Sequence, residues 1–265
     1  MPRIKSPAEL EEFRKGILSK RDPQKPCIAV CTGTGCIALG AAEVVAALEE
    51  EIKKQGLKTK VDVKVDIRET GCPGFCERGP VIVIYPEEIC YLQVKPEDAG
   101  EIISETILAK KVIDRLLYVD PVSEEKSVRE SDVPFYKNQM RLLIGNNIKL
   151  DPKSIEDYLA VGGYTALTKA LTGMKPEQVL GAVKDSNIRG RGGAGFPAGR
   201  KWEFARNSPG DTKYVVVNAD EGDPGAFMDR ALLEGNPHAV LEGLLIGAYA
   251  IGAHEGFLYV RQEYP

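Results

Sequence analysis

Cys31-Thr-Gly-Thr-Gly-Cys36 and Gly71-Cys72-Pro-Gly-Phe-Cys76 are the two stretches whose reading decides the first fold in this chain. Each follows a strand-like segment. Ile28–Val30 is a short apolar run ahead of the first, and Val61, Val63, Val65 and Ile67 alternate with charged residues ahead of the second. Between the two, Leu39–Gln55 carries Val44, Leu48 and Ile52 at helical spacing and is stopped by Gly56. Both loops therefore leave the carboxyl ends of strands in one sheet, where four sulfurs can converge.

Outward from these loops, Val81–Tyr85 is an apolar run stopped by Pro86, and Ile89–Val94 follows closely enough to form a hairpin with it. Pro96–Leu108 reads as a closing amphipathic helix. The order β-α-β-β-β-α predicts a small α/β domain over residues 25–109, after a charged helical lead at 1–24. Residues 110–134 are polar and charged and read as a linker.

The chain has 265 residues, with 39 acidic against 35 basic, a net charge of −4. That excludes the clustered basic footprint of a nucleic-acid binder. No apolar run approaches the length of a membrane span, and Met1–Glu12 is charged without the apolar core of a signal peptide, so a cytoplasmic location is expected. All six cysteines fall within the first 90 residues. In a reducing compartment this favours metal or redox chemistry over disulfides.

Four loop thiolates suit a 2Fe–2S cluster or zinc. The x4 and x3 spacings count against zinc, which favours C-x2-C knuckles, and the C-x-x-C of a thioredoxin-type dithiol is absent. Glycines 33, 35, 71 and 74 allow tight turns around a bulky inorganic centre and leave N–H groups to donate to sulfur. Cys27 and Cys90 lie on strands and read as small buried hydrophobes.

From residue 135 the pattern turns helical, with segments near 136–146, 154–160, 163–171 and 176–184. A glycine-rich stretch follows: Ile188-Arg-Gly-Arg-Gly-Gly-Ala-Gly-Phe-Pro-Ala-Gly-Arg-Lys-Trp202. Gly190, Gly192 and Gly195 match G-x-G-x-x-G, but no apolar strand precedes them, and Pro197 and Gly199 are expected to interrupt any helix, so this is not a Rossmann turn. It reads instead as a phosphate-cradling loop, with positive charge from Arg189, Arg191, Arg200 and Lys201 and flat surfaces from Phe196, Trp202 and Phe204. The strand Lys213–Val217 then delivers Asn218-Ala-Asp-Glu-Gly-Asp-Pro-Gly225, whose carboxylates and amide suit ribityl or ribose hydroxyls or a flavin edge. Helices over Met228–Glu234 and Pro237–Ala253 and a strand from Phe257 follow; His238 and His254 read as structural.

The four-cysteine spacing, with Gly-Pro-Val at 79–81, resembles the thioredoxin-like 2Fe–2S ferredoxin domain, which implies that Cys31, Cys36, Cys72 and Cys76 ligate the cluster. The glycine-rich and acidic motifs, in this order, resemble the flavin- and NADH-binding subunit of respiratory complex I and its relatives in NAD(P)-linked hydrogenases and formate dehydrogenases. That resemblance implies FMN contacts at Gly190, Gly192, Lys201, Asn218, Asp220, Glu221 and Gly222, and NAD(P)H contacts at Phe196, Phe204 and Asp223. Family members often carry Glu where Asp223 stands.

The expected fold class is therefore α/β: a thioredoxin-like 2Fe–2S domain, then the N-terminal part of an α/β flavin-binding domain at 135–265. The implied activity is hydride exchange between NAD(P)H and FMN, with single electrons passed to iron–sulfur clusters and no side-chain nucleophile or base. The implied partners are iron–sulfur subunits of a multi-subunit redox complex, with the chain at most peripheral to a membrane. The resemblance places a further flavin segment and a C-x2-C-x2-C…C 4Fe–4S motif downstream of Pro265, so a truncated or split subunit is expected. Two competing readings are an electron-carrier or assembly module binding only the 2Fe–2S cluster, its flavin half inactive, and a zinc-stabilised interaction domain.

Overall fold

The computed structural model describes residues 4–59 and 65–264. Contacts divide the chain into two compact units. One comprises Arg21–Asp157 with Glu234–Asn236, and the other Met1–Lys20, Tyr158–Leu233 and Pro237–Pro265. Among the described residues, no helix is long and apolar enough to cross a membrane.

The Arg21–Asp157 unit is built on a four-stranded sheet of β1 (Cys27–Cys31), β2 (Asp66–Thr70), β3 (Ile82–Tyr85) and β4 (Ile89–Tyr91), in the order β2-β1-β3-β4. The all-apolar sequence of β1, Cys-Ile-Ala-Val-Cys, is buried throughout, as befits a central strand. β1 pairs with β2 in parallel, Cys27 opposite Asp66 and Cys31 opposite Thr70, while β3 is antiparallel to both β1 and β4. A parallel pair needs a crossover, supplied here by the helix Ala41–Thr59. Of the alternating residues, Ile67 is within β2, and Val61 and Val63 lie outside the described residues.

Side-chain alternation along β1 gives the sheet two apolar faces. Ile28 and Val30 face Val44 and Leu48 of the crossover helix and Ile102 and Ile103 of the closing segment. Ala29 and Cys31 share the other core with Cys36, Phe75, Val83, Cys90, Val133, Tyr136 and Ile148. The closing segment is not one regular helix: it begins as a 3-10 turn at Pro96–Asp98 and widens to a π-helix over Ile102–Leu108.

The polar stretch 110–134 is packed against this unit. Ile113, Leu116 and Leu117 join the first core, and Val133 joins the second. The Cys90 amide donates to the Val128 carbonyl (2.8 Å) and the Leu92 amide to the Leu116 carbonyl (2.9 Å), so this stretch runs along the free edge of β4. A two-residue hairpin, β5 (Tyr118–Val119) with β6 (Lys126–Ser127), lies within it. The expected helix at 136–146 does not form. Pro134–Lys137 makes a single turn, and Met140 and Leu142 are left exposed, so their apolar character does not reflect a buried stripe.

In the other unit the lead forms a helix, Pro7–Ser19, capped by Ser6, whose hydroxyl accepts the Glu9 amide (3.2 Å). The Arg14 guanidinium fixes it by donating to the carbonyls of Leu159 (2.8 Å) and Gly163 (3.1 Å) and to the Thr165 hydroxyl (2.7 Å). Helices Thr165–Gly173, Pro176–Asp185, Ala198–Asn207 and Pro237–Ile251 pack around Ala170, Val179, Leu180 and Ala250. β7 (Tyr214–Ala219) and β8 (Glu255–Val260) pair in parallel, Tyr214 opposite Glu255 and Ala219 opposite Val260, with Met228–Gly235 and Pro237–Ile251 between them. β8 is exposed along its whole length.

Glu242, on Pro237–Ile251, holds the start of Thr165–Gly173. Its buried carboxylate accepts the Tyr158 hydroxyl (2.5 Å) and the amides of Tyr164 (2.8 Å) and Leu167 (2.9 Å). His238 stacks on Tyr158 and meets the Tyr164 hydroxyl at 2.9 Å; desolvation lowers its pKa, in keeping with a structural imidazole.

In the first unit, the buried Tyr91 hydroxyl accepts the Ile113 amide (2.9 Å) and meets the Thr106 hydroxyl (2.7 Å). Tyr91→Phe leaves both groups without this partner and is expected to cost about 1–3 kcal/mol, read by urea denaturation with circular dichroism.

Candidate functional site

The parallel register sets Cys31, the last residue of β1, beside Thr70, the last residue of β2, so the two cysteine loops start side by side. Cys36 lies in the helical turn Thr34–Ile37, Cys72 two residues beyond β2, and Cys76 at the start of the turn Cys76–Arg78. Cys31 lies close enough to Cys36 and Cys72 for the three thiols to perturb one another, and the sulfurs of Cys72 and Cys76 are 3.3 Å apart. Backbone donors point inward as well: the Gly74 amide reaches the Cys72 sulfur at 3.2 Å, and the Val81 amide bonds the Cys36 sulfur. Cys31 and Cys36 are buried; Cys72 and Cys76 are half-buried.

Glycine keeps the loops close together. A Cβ on Gly79 would lie 2.8 Å from the Cys36 sulfur, one on Gly33 3.0 Å from the Cys72 Cβ, and one on Gly35 3.4 Å from the Cys76 sulfur. Hydrogen bonding within the group divides its thiols. The Cys31 thiol, with help from Cys76, pulls Cys72 down to about 3, and Cys31 also lowers Cys36. Cys31 and Cys76, as donors to those thiolates, are raised. Among the described residues no group of three or more His, Cys, Asp or Glu is spaced to hold a metal ion; the sulfurs of Cys72 and Cys76 touch each other instead. Their chemistry still fits an iron–sulfur centre: four convergent thiols, N–H donors aimed at sulfur, and a glycine cradle. Cys27 and Cys90 stand apart as buried thiols, with desolvation pushing Cys90 up to about 12.

In the other unit the glycine-rich stretch is an open excursion. It is closed at its base by the Arg189–Pro197 bridge, the Gly190 amide on the Phe196 carbonyl (2.8 Å) and the Ala198 amide on the Ile188 carbonyl (2.9 Å). Contrary to the expectation from sequence, Pro197 and Gly199 do not break a helix. Pro197 immediately precedes the helix Ala198–Asn207, and Gly199 is buried in its first turn, where a Cβ would meet the Lys184 backbone at 2.7 Å. The preceding element is the helix Pro176–Asp185, so the arrangement is still not a Rossmann turn. Lys201 is exposed in the first turn of Ala198–Asn207. Phe196 and Phe204 come together, centroids 6.2 Å apart, with the Arg200 guanidinium 5.7 Å from the Phe204 ring. Trp202 does not join them; it packs into the core against Gly247. A cavity of about 400 Å³ opens beside the loop base, lined by Arg189, Arg200, Lys184 and Glu203 among others.

The acidic segment gathers at the carboxyl end of β7. The Asn218 Oδ1 accepts the Asp220 amide (3.0 Å), and Asp220, Gly222 and Asp223 are exposed. Glu221 is engaged within the protein. Its carboxylate accepts the amides of Asp229 (2.7 Å) and Arg230 (3.0 Å) at the start of Met228–Gly235 and the Tyr264 hydroxyl (2.7 Å), and its carbonyl accepts Arg261 (2.8 Å). Burial acts to raise this carboxyl, but the Arg230 amide, Tyr264 and the Asp229 amide together hold it below its ordinary range. Phe196 with Phe204, and Asn218 through Asp223, thus form two groups, and among the described residues no hydrogen bond or ring contact joins them. Arg261 and Tyr264, which anchor the acidic turn, carry no recognisable motif; their role follows from β8 lying beside β7.

Residues 17–107 match the family model described as thioredoxin-like [2Fe-2S] ferredoxin, and residues 183–265 match the Nuo51 FMN-binding domain. The chain carries both: a thioredoxin-like [2Fe-2S] ferredoxin region and a Nuo51 FMN-binding region. It is 56% identical to the NADP-reducing hydrogenase subunit HndC of Solidesulfovibrio fructosivorans, over 49% of this chain and 26% of that protein. It is 47% identical to an NADH-quinone oxidoreductase subunit of Aquifex aeolicus, over 49% of this chain and 30% of that protein. The alpha subunit of the NAD-reducing hydrogenase HoxS of Cupriavidus necator is 30% identical over 89% of this chain and 37% of its own length. The chain thus spans between about a quarter and two fifths of these relatives.

Glu221→Ala removes the acceptor of two amides that open Met228–Gly235. It is expected to destabilise the chain by about 1–2 kcal/mol, the upper range for a lost helix cap, measured by denaturant unfolding.

Proposed function

We propose that this chain is part of an electron-transfer subunit that exchanges hydride between NAD(P)H and FMN and passes single electrons to a 2Fe–2S cluster. The observation that carries this reading is the presence, in one chain, of four convergent thiols and a glycine-rich loop in which Gly192 is not demanded by packing. A Cβ on Gly192 would meet nothing within 4 Å, and its φ lies outside the left-handed range, so neither sterics nor backbone conformation calls for glycine there. Close approach of a ligand would.

On this reading Cys31, Cys36, Cys72 and Cys76 hold the cluster, and the Gly74 and Val81 amides offset negative charge on its thiolates. FMN, when bound, supplies the two-electron to one-electron conversion. Gly190 and Gly192 admit its phosphate, and Lys201 balances its charge. Asn218, Asp220 and Gly222 offer polar groups to its ribityl chain or ring edge, and Glu221 keeps that turn in shape. Phe196 and Phe204 form a paired aromatic surface for the nicotinamide nucleotide, with Asp223 as a hydrogen-bond partner. The reading carries with it a cytoplasmic location and iron–sulfur subunits of a larger redox complex as partners; the relatives are named as subunits of hydrogenases and of NADH-quinone oxidoreductase.

Iron and sulfide analysis of the purified chain, with EPR after reduction, tests the cluster. One rhombic 2Fe–2S signal is expected; zinc without a signal would overturn it. Cys72→Ser is expected to abolish or strongly alter that signal while leaving flavin binding unchanged. Gly192→Ala is expected to leave the melting temperature unchanged and to weaken FMN binding on the order of tenfold, about 1.4 kcal/mol. Wild-type flavin affinity in this variant would count against the loop as the phosphate site.

A further inference from the structure

Residues 130–149 fall between the two matched regions, 17–107 and 183–265, and belong to the unit that holds the four thiols. They cover the face of the sheet opposite the crossover helix: Val133, Tyr136 and Ile148 share one core with Cys31 and Cys36. Their contacts concentrate on the Cys72-x3-Cys76 loop. Phe75, between its two cysteines, stacks on Phe135 with centroids 4.2 Å apart and planes within 4°, and meets the edge of Tyr136 at 5.8 Å. Ile144 presses on Gly74 so closely that a Cβ there would lie 3.2 Å from its Cδ1. Asn147 brackets the first ligand of the loop. Its side-chain amide donates to the Cys72 carbonyl (3.1 Å), and its own carbonyl accepts the Gly71 amide (3.1 Å). The segment is held in turn by the Arg141–Glu130 ion pair (2.6 Å), with the Arg141 guanidinium 4.3 Å from the Tyr136 ring centroid.

We propose that residues 130–149 are a positioning strap for the cysteine site, which shields the Cys72-x3-Cys76 loop from water and holds the Cys72 backbone, and so sets the reduction potential and the lability of the iron–sulfur centre. The proposal rests on the reading that the four thiols hold a 2Fe–2S cluster. Reduction adds one negative charge to a centre already bearing four thiolates. Water stabilises that added charge, so shielding lowers the potential, and an outer hydrogen bond to a ligand residue slows ligand loss. Phe135 supplies the aromatic cover and Asn147 the backbone clamp; neither touches a sulfur.

The test uses the whole chain with its cluster loaded, comparing Phe135→Ala, Asn147→Ala and, as a control on the same strap, the solvent-facing Met140→Ala, which is 84% exposed. Three readouts are needed: an EPR-monitored redox titration, the rate of iron transfer to a chelator, and a thermal melt. Phe135→Ala is expected to shift the potential upward, and both Phe135→Ala and Asn147→Ala to release iron about tenfold faster, the low end for a lost outer interaction, with Met140→Ala unchanged. Asn147 is buried, so if its variant does not fold, Phe135→Ala, 36% exposed, decides alone. A lowered melting temperature with wild-type potential and iron release would make the strap merely structural and overturn the proposal. Absence of iron and sulfide from the wild-type chain would overturn the cluster reading, and the strap with it.

Discussion

The arrangement of the first unit depends on one constraint, the parallel pairing of β1 with β2. Antiparallel strands would send their following loops to opposite ends of the sheet. In parallel, with Cys31 opposite Thr70, both loops leave from the same edge, and the four sulfurs meet although many residues separate Cys36 from Cys72. Parallel pairing also forces a crossover, and the Ala41–Thr59 helix that makes it buries Val44 and Leu48 against Ile28 and Val30. One face of the sheet is therefore covered by the same connection that creates the site.

The other face has no such built-in cover, and it is the face that carries Cys31. Its burial falls to residues from further along the chain: Phe75 from the second cysteine loop, and Val133, Tyr136 and Ile148 from beyond the matched ferredoxin region. This explains why contacts group 110–157 with the sheet although composition suggests a linker. Leaving Ala29, Val83 and Cys90 to solvent would forfeit roughly 25 cal/mol for each Å² of apolar surface uncovered. The stretch that prevents this also occupies the hydrogen-bonding edge of β4.

What could be read from the sequence was local. Alternation and apolar runs located the strands, the Val44-Leu48-Ile52 spacing located the crossover, and cysteine spacing located the four thiols. What escaped depended on partners distant in the chain. Ile113, Leu116 and Leu117 are isolated among charged residues, and only a waiting sheet edge makes them core. Met140 and Leu143 have helical spacing relative to Tyr136 yet remain exposed, because Arg141 pairs with Glu130 and the chain turns at Gly145. Pro197 looked like a breaker, but directly ahead of a helix it pre-sets the entry angle, and Gly199 permits close packing on Lys184. Glu221, implied by resemblance to touch a cofactor, spends its carboxylate on amides of a helix eight residues downstream and on Tyr264.

The two sites use glycine for opposite reasons. At the cysteine loops, Gly33 and Gly79 answer to the protein itself, since a Cβ on Gly79 would collide with the Cys36 sulfur and one on Gly33 would crowd Cys72 whether or not anything is bound there. At the glycine-rich loop, Gly193 and Gly195 are called for by their positive φ (100° and 60°), but Gly192 has open space in place of neighbours and no left-handed backbone. A residue type kept small without an internal collision is small for something outside the fold. Substitutions therefore separate the sites by consequence. In the first, adding a methyl group disturbs the loop packing and the thiol geometry together; in the second, at Gly192, it leaves the fold intact and reports on what the loop is shaped to admit.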